Sequence, residues 1–145
     1  MKVAIGSDHA GFELKEKILR HLKDQGVDVK DYGTYSEESM DYNDVALQVS
    51  HDVRDGKIDR GILMCGTGIG MSIQANKVES IRAAHVHDVF SARDTRRHND
   101  SNVLTMGGRV LGVELAQMIV DTWLGTEFSG EARHVRRVNK LTSKK

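Results

Sequence analysis

The 145-residue chain contains no proline and only one cysteine, and aromatic residues make up just 5% of it. A single cysteine cannot form an internal disulfide. No stretch approaches the roughly 20 consecutive apolar residues that a membrane span requires, and no signal-like apolar block opens the chain. These features together predict a protein of the reducing cytosol with no membrane partner. The missing proline by itself specifies nothing.

Net charge is also missing, because 21 lysine and arginine residues balance 21 aspartate and glutamate residues. Without an overall field, attraction to nucleic acid or to an anionic membrane is not expected. An apolar content of 39% over this length is enough for one domain with a core, and too little for two ordinary domains. The sequence therefore predicts a single domain over residues 1–145.

Short apolar runs alternate with stretches of helical periodicity. The runs predict five strands, at residues 2–8, 27–33, 60–65, 81–87 and 102–108. The periodic stretches predict helices at 10–26, at 42–54, from within 68–77, at 88–98 and at 112–125. This alternation predicts an α/β fold in which helices cover both faces of a parallel sheet. Residues 130–145 have too few apolar side chains for a core-facing side, which predicts a peripheral helical arm.

Ligands of open parallel sheets bind beyond the carboxyl ends of the strands. Four polar or glycine-rich segments are predicted near such ends. They are "GSDHAG" after the first strand, "CGTGIG" after the third, "GGR" after the fifth, and "RRHND" at the end of the helix before the fifth strand. The place of the last one depends on tertiary folding.

The glycines Gly66, Gly68 and Gly70 follow the only cysteine. Glycines let successive N–H groups face one hollow, which suits an anion or a developing oxyanion. The spacing does not match GxGxxG and no GK[ST] follows, so dinucleotide and ATP loops are disfavoured. A thiol phosphatase of the CxxxxxR type would need an arginine where Met71 stands.

Cys65 and Thr67 each have two possible roles. Spacing alone favours Cys65 as a small packed side chain at a strand end. The amide dipoles of the following loop would alternatively stabilise a thiolate, which could act as a base or a nucleophile. Thr67 could cap the next helix, or its hydroxyl could relay a proton between adjacent substrate oxygens.

Other candidate side chains are acids and histidines near element ends. Asp8 and His9 follow the first strand, where Asp8 could cap a helix or orient a sugar hydroxyl and His9 could exchange a proton. His98 and Asn99 could merely close a helix. The remaining histidines show no HxxxH or CxxC pattern, so no metal is predicted.

Arg133 and Arg137 are four residues apart, so on a helix both guanidinium groups project from one face, with His134 adjacent. Paired arginines suit bidentate capture of a phosphate, although most such pairs are solvated surface. Arg109 is a third candidate cation. Arginines on a peripheral arm could serve a neighbouring subunit's site.

Five segments occur in order along essentially the whole chain: "GSDHAGFELK", "GTYSEESMDY", "GILMCGTGIGMSIQANK", "RRHNDSNVLTMGGRV" and "RHVRRV". Together they resemble the ribose-5-phosphate isomerase type B family, which also contains galactose-6-phosphate isomerase subunits. The resemblance implies a Rossmann-like three-layer α/β/α enzyme that interconverts ribose 5-phosphate and ribulose 5-phosphate. It further implies a homodimer, or a dimer of dimers, with shared sites and no metal or cofactor. A hexose 6-phosphate isomerase, for galactose or allose 6-phosphate, and a non-catalytic phosphosugar-binding module are the alternatives.

The resemblance also implies a role for each matching residue. Cys65 would be the base, Thr67 would assist proton transfer between O1 and O2, and His98 would open the furanose ring as an acid. The remaining roles are binding roles. The enediolate oxygens would be held by the backbone amides of Gly66, Gly68, Ile69 and Gly70. The sugar hydroxyls would be bound by Asp8, His9 and Asn99, and Tyr42 would line the site. The phosphate would be bound by Arg109, Arg133 and Arg137, with His134 beside them.

Overall fold

The computed structural model describes residues 1–142, and its strands form one parallel sheet. The strands are β1 (Lys2–Ser7), β2 (Asp28–Asp31), β3 (Arg60–Cys65), β4 (Ala83–His85) and β5 (Val103–Gly107). Their spatial order is β2-β1-β3-β5-β4, and every neighbouring pair is parallel. The predicted five-stranded parallel sheet is confirmed, and the order adds what the sequence left open.

Helices cover both faces of this sheet. They are α1 (Phe12–Asp24), α2 (Tyr42–Arg54), α3 (Ile69–Ala75), α4 (Val89–Asn99), α5 (Val113–Gly125) and α6 (Ala132–Thr142). One apolar cluster lies between the sheet and α1, α4 and α5, and a second lies beneath α2 and α3. Alternate strand residues face opposite sides, so Met64 packs in the first cluster and Cys65 in the second. The result is the predicted three-layer α/β/α arrangement.

A turn after β1 delays the first helix, which begins at Phe12 rather than at residue 10. Asp8 Oδ1 accepts the backbone N–H groups of Ala10 at 2.9 Å and Gly11 at 3.0 Å. An aspartate that bonds N–H groups two and three residues ahead favours a turn over immediate helix. Asp8 therefore stabilises the turn that precedes α1 and does not cap the helix itself, whose N-cap residue is Gly11.

A buried ion pair fixes the first helix against the loop that follows β2. The side chain of Lys15 is fully buried, and its Nζ contacts the two oxygens of Asp31 at 2.8 and 2.9 Å. Asp31 also accepts the N–H of Gly33 at 2.8 Å. Further along this loop, the N–H of Met40 donates to His9 Nδ1 at 3.2 Å. A buried charge pair of this kind is costly to break on one side, so it holds the loop that supports His9.

The arm at the end of the chain is peripheral, as the sequence predicts. On α6 the buried side chains are His134 and Val138, and the helix packs mainly against α4. The predicted arm extends to residue 145, and its last three residues lie outside the described part of the chain. No helix within residues 1–142 is long and apolar enough to cross a membrane.

Candidate active site

Three loops meet at the carboxyl edge of the sheet, after the neighbouring strands β1, β3 and β5. Main-chain hydrogen bonds join them: Asp8 N–H donates to Met64 O at 3.1 Å, Gly108 N–H to Cys65 O at 2.8 Å, and Arg109 N–H to Gly66 O at 3.0 Å. The chain reverses its direction of strand addition between β1 and β3. Such a switch point is where open α/β sheets bind ligands.

Cys65 is only 5% exposed, yet its sulfur faces the glycine loop rather than turning away from it. Gly68 donates its backbone N–H to Cys65 Sγ at 3.1 Å. Gly68 has a left-handed φ of 80°, and a Cβ there would lie 2.6 Å from the carbonyl carbon of Met106. Glycine is therefore required for the turn that aims this N–H. An N–H donated to sulfur stabilises negative charge on it.

The loop amides are partly used within the loop itself. Besides the Gly68 N–H bonded to sulfur, the Ile69 N–H donates to Thr67 Oγ1 at 3.3 Å. Thr67 is exposed and this bond supports the turn before α3, but the N-cap residue of α3 is Gly68 and has no side-chain cap, so Thr67 does not cap the helix. The resemblance implies oxyanion binding by four amides, and in the structure two of them, those of Gly68 and Ile69, donate within the loop instead. The N–H groups of Gly66 and Gly70 remain the candidate donors.

Two side chains enclose the glycine loop. The ring of Tyr42 lies against Gly70 so closely that a Cβ there would be 2.6 to 3.0 Å from its carbons. The side chain of Arg109 lies over Gly66, with Nη1 3.6 Å from the ideal Cβ position. His9 and Arg109 also line a cavity of about 460 Å³ beside this loop, and Cys65 is not among the lining residues. Because Cys65 does not line it, the cavity has room for a part of a ligand that lies away from the thiol.

His98 and Asn99 lie at the opposite edge of the sheet. α4 starts beyond the carboxyl end of β4, and its 11 residues run back by about 16 Å. Arg82, which immediately precedes β4, donates its Nε to Asn99 O at 3.1 Å and accepts the N–H of Asn102 at its own carbonyl. Both contacts place the end of α4 at the amino edge. The prediction that "RRHND" falls at a carboxyl end is wrong, because the helix carries it across the sheet.

The arm meets α4 at this same end. The rings of His98 and His134 lie 4.4 Å apart, and His134 Nδ1 is 2.6 Å from Ser129 Oγ. His134 is 4% exposed, and its burial, with nearby His98 second, lowers its pKa. A direct contact of His134 with substrate stays a prediction, because its observed partners are internal. Arg133 and Arg137 lie exposed on the other side of α6.

The predicted site residues therefore form two groups in one chain. The loop half consists of Asp8, His9, Tyr42, the segment 65–70 and Arg109. The arm half consists of His98, Asn99, Arg133, His134 and Arg137. Each group is brought together by the fold, and the two are held at opposite edges of the sheet. Among residues 1–142, no three His, Cys, Asp or Glu side chains are grouped closely enough to hold a metal ion.

Sequence reasoning missed two histidines that support the loop half. Gly107 donates its N–H to His87 Nε2 at 3.0 Å, and His85 Nδ1 lies 3.1 Å from Thr105 Oγ1. Alternate residues of a strand share one face, so the pattern "HVH" does predict that both rings point the same way. Their partners are a main-chain amide and a hydroxyl 20 residues away, which leaves no spacing signal.

Comparison with known proteins agrees with this architecture. Residues 3–141 match the family model described as Ribose/Galactose Isomerase. Ribose-5-phosphate isomerase B of Escherichia coli strain K12 is 51% identical over 142 residues, which cover 98% of this chain and 95% of that protein. D-erythrulose-4-phosphate isomerase of Pectobacterium atrosepticum is 47% identical over 131 residues, 90% of this chain and 86% of the relative. A solved structure of Clostridium thermocellum ribose-5-phosphate isomerase B superposes with a TM-score of 0.95 at 52% identity, covering 98% and 95% of the two chains.

Proposed function

The chain belongs to the ribose/galactose isomerase family, and on that premise we propose that it interconverts D-ribose 5-phosphate and D-ribulose 5-phosphate. Family membership makes it an isomerase and removes the non-catalytic alternative. One observation carries the mechanism: the only cysteine ends a strand with its sulfur bonded to the N–H of Gly68 at 3.1 Å. A sulfur held in this way is prepared to carry negative charge and to accept a proton.

The first chemical step is transfer of the C2 proton of the open-chain aldose to the Cys65 thiolate. The electron pair of the C–H bond forms the C1–C2 double bond, and the carbonyl oxygen O1 becomes an oxyanion. Return of the proton from sulfur to C1, with transfer of the O2 proton to the O1 oxyanion, forms the C2 carbonyl and the C1 hydroxyl of the ketose. The thiolate is regenerated, so one group serves both directions of the reaction.

Thr67 and the free loop amides handle the charge on oxygen. The Thr67 hydroxyl already accepts the Ile69 N–H, so its own proton is available to move between O1 and O2. The N–H groups of Gly66 and Gly70 stabilise the enediolate oxygens, since donors aimed at developing charge act mainly in the transition state. Tyr42, which lies against Gly70, closes this end of the site.

The arm half supplies ring opening and phosphate binding. His98 donates a proton to the ring oxygen of the furanose, and its stacking on His134 fixes the plane of its ring. Arg133 and Arg137 face outward and bind the phosphate with Arg109, since guanidinium groups match phosphate oxygens. Asp8, His9 and Asn99 bind or orient the sugar hydroxyls. Asp8 retains one carboxylate oxygen beyond the one that caps the turn.

The separation of the two halves supports a homodimer with shared sites. One sugar phosphate cannot reach both edges of a sheet whose strands are five to six residues long near the centre. A two-fold partner turned around can present its arm half to the first chain's loop half, and the reverse contact follows by symmetry. Each active site is then built from two chains, and a lone chain holds two incomplete sites.

Exposed apolar side chains support the same assembly. Ile69 and Ile73 project from α3 with 51% and 58% of their surface exposed, and Phe90 projects from α4 with 66% exposed. Large apolar side chains grouped beside a functional loop are typical of an interface. In a dimer they become buried together with the glycine loop, which excludes water from the thiolate.

The arginines of α6 give a first test of this scheme. We expect Arg137→Ala to raise KM for the sugar phosphate by about one to two orders of magnitude with a small change in kcat, because phosphate contacts are similar in the ground and transition states. Arg136→Ala is the matched control, since this neighbour is also exposed on α6 but is not assigned to the site. Steady-state kinetics of both variants suffice, and a fall in kcat at unchanged KM would contradict a phosphate role.

The substrate is tested by comparing kcat/KM across aldose phosphates of different length. We expect ribose 5-phosphate to be the best substrate. Two D-erythrulose-4-phosphate isomerases among the relatives, 47% and 40% identical, favour a four-carbon sugar as the second candidate. The family description names galactose beside ribose, which supports galactose 6-phosphate as an alternative, and allose 6-phosphate is tested with it as a second six-carbon sugar. A higher kcat/KM for any of these than for ribose 5-phosphate would overturn the proposed substrate.

A further inference from the structure

The edge strand β4 is short, and a side chain continues its pairing with β5. His85 is in register with Thr105, and the N–H of Val86 donates to Thr105 O at 3.1 Å. In a regular parallel ladder a main-chain carbonyl of β4 would next accept the N–H of Gly107. Here the Nε2 of His87 accepts it, at 3.0 Å. The imidazole ring therefore holds the carboxyl end of β5 in place of backbone.

Gly107 is the point where β5 touches the catalytic loop. It is in register with Cys65, and a Cβ on it would lie 2.8 to 2.9 Å from the backbone of Thr67. The next residue, Gly108, donates its N–H to Cys65 O at 2.8 Å. A displacement of the Gly107 amide would therefore be transmitted directly to the positions of the thiol and of Thr67.

His85 supports the same loop from beside His87. Its Nδ1 bonds with Thr105 Oγ1, and its Cε1 lies 2.8 Å from the ideal Cβ position of Gly68, the residue whose N–H reaches the sulfur. The two imidazole rings meet edge to face at 4.5 Å. Together, His85 packs against the Gly68 turn and His87 binds the Gly107 amide.

From this geometry, and resting on the proposed isomerase function, we infer that His87, braced by His85, is a positioning residue for catalysis. Its neutral ring holds the Gly107 amide in place. It thereby fixes the carboxyl end of β5, against which Cys65 and Thr67 lie. The role requires the neutral form, because only an unprotonated Nε2 can accept an N–H. On protonation the ring presents a second N–H to the Gly107 N–H, so the bond is lost.

Lowering the pH therefore breaks the hydrogen bond between His87 and the Gly107 N–H, because it protonates the His87 ring. Burial, as the largest cause, lowers the pKa of both rings, His87 further lowers that of His85, and Asp88 partly opposes the shift at His87. Asp94 and His98 of α4 share a cavity with His85, and α3 and β5 contribute no titratable side chain to the pair apart from the loop thiol. A lowered pKa keeps the bond intact at neutral pH and confines its loss to lower pH.

Two variants separate positioning from packing. His87→Phe keeps the ring and removes the acceptor, whereas His87→Gln keeps an acceptor that does not titrate. We expect His87→Phe to lower kcat for ribose 5-phosphate by about tenfold with a smaller change in KM. We expect His87→Gln to recover most of that loss and to shift the acid limb of the kcat profile, measured from about pH 8 to about pH 5.5, to lower pH. His51→Phe, on the exposed side of α2, is the control.

A measurement without substrate keeps the inference separate from the proposed function. We expect the Gly107 amide resonance of the unmodified protein to titrate with the His87 ring and to lose that titration in His87→Gln. An amide that is insensitive to His87 protonation would overturn the hydrogen-bond role, whatever the enzyme acts on. An isomerase in which His87→Phe has the kcat and pH profile of the unmodified protein would overturn the positioning role. Inactivity of the unmodified protein on every sugar phosphate would instead count against the proposed function.

Discussion

Replacing Cys65 with alanine is expected to lower kcat for isomerisation by about a thousandfold or more, while the chain still folds and binds sugar phosphate. The loss is large because, on the proposed mechanism, the variant removes the base that takes the C2 proton. Binding survives because, on the same proposal, arginines outside the glycine loop hold the phosphate. Three measurements check this: the rate of ketose formation, the exchange of the C2 proton with solvent, and substrate affinity by calorimetry. Solvent exchange at a near-normal rate would show that the base is another group.

Two further variants control for packing, because Cys65 is buried against residues of the α2 and α3 side. Removing its sulfur leaves a small cavity that costs about 1 kcal/mol of unfolding free energy. Val78→Ala removes methyl groups from the same cluster without touching the loop, and is expected to reduce thermal stability with kcat retained. Cys65→Ser keeps the size and can still accept the Gly68 N–H, but an alcohol is a far weaker base. It is expected to be stable and nearly inactive.

Mixing two variants that are each reduced by orders of magnitude in kcat/KM is expected to restore kcat/KM for ribose 5-phosphate to about a quarter of the value for the unmodified protein. One variant is Cys65→Ala, and the other carries Arg133→Ala together with Arg137→Ala. In a mixed dimer with shared sites, one site contains all three substitutions. The other site combines the unmodified loop half of one chain with the unmodified arm half of its partner. Random pairing makes half of the dimers mixed, and each then has one of its two sites working. Against parents reduced by orders of magnitude, this rescue is large.

The control for the mixed-dimer experiment uses two defects from the same half. Cys65→Ala and Thr67→Ala chains, refolded together, leave every site with a damaged loop half, so no rescue is expected. The first mixture is measured after denaturation and refolding of differently tagged chains. The mixed species is then isolated on both tags and is expected to have about half the activity of the unmodified protein, because one of its two sites works. An isolated mixed dimer no more active than its parents would exclude sites built from two chains.

Much of the fold was predictable because its elements have strong local signals. The helix period around Leu14 and Ile18 and the apolar run that ends at Cys65 define α1 and β3 closely. The ends were less predictable where side chains compete with backbone. The carboxylate of Asp8 takes two N–H groups and delays α1, and the ring of His87 replaces main-chain pairing and shortens β4. Strand order was open because crossover lengths of this kind allow several neighbours.

The site was predictable in its parts and not in their arrangement. Glycines after a strand end predict a turn with free amides, and the structure has that turn at Gly68. The positions of Cys65 Sγ and Thr67 Oγ1 decide which amides donate within the loop. These positions cannot be predicted from the spacing of residues in the sequence. His98 was placed at the wrong edge because a helix displaces its last residue from its first by its whole length. His134 was expected beside the phosphate-binding arginines, and in the structure it is buried with its ring against that of His98.

The position of α6 on the outside of the fold, remote from the thiol of its own chain, has a kinetic consequence. On the proposed arrangement a solitary polypeptide has no turnover at all, and catalysis begins only when two of them associate. At concentrations below the dissociation constant of the pair, the reaction rate scales with the square of the amount of protein. Doubling the cellular abundance of the chain then raises flux fourfold, so that synthesis and degradation become a means of adjusting activity.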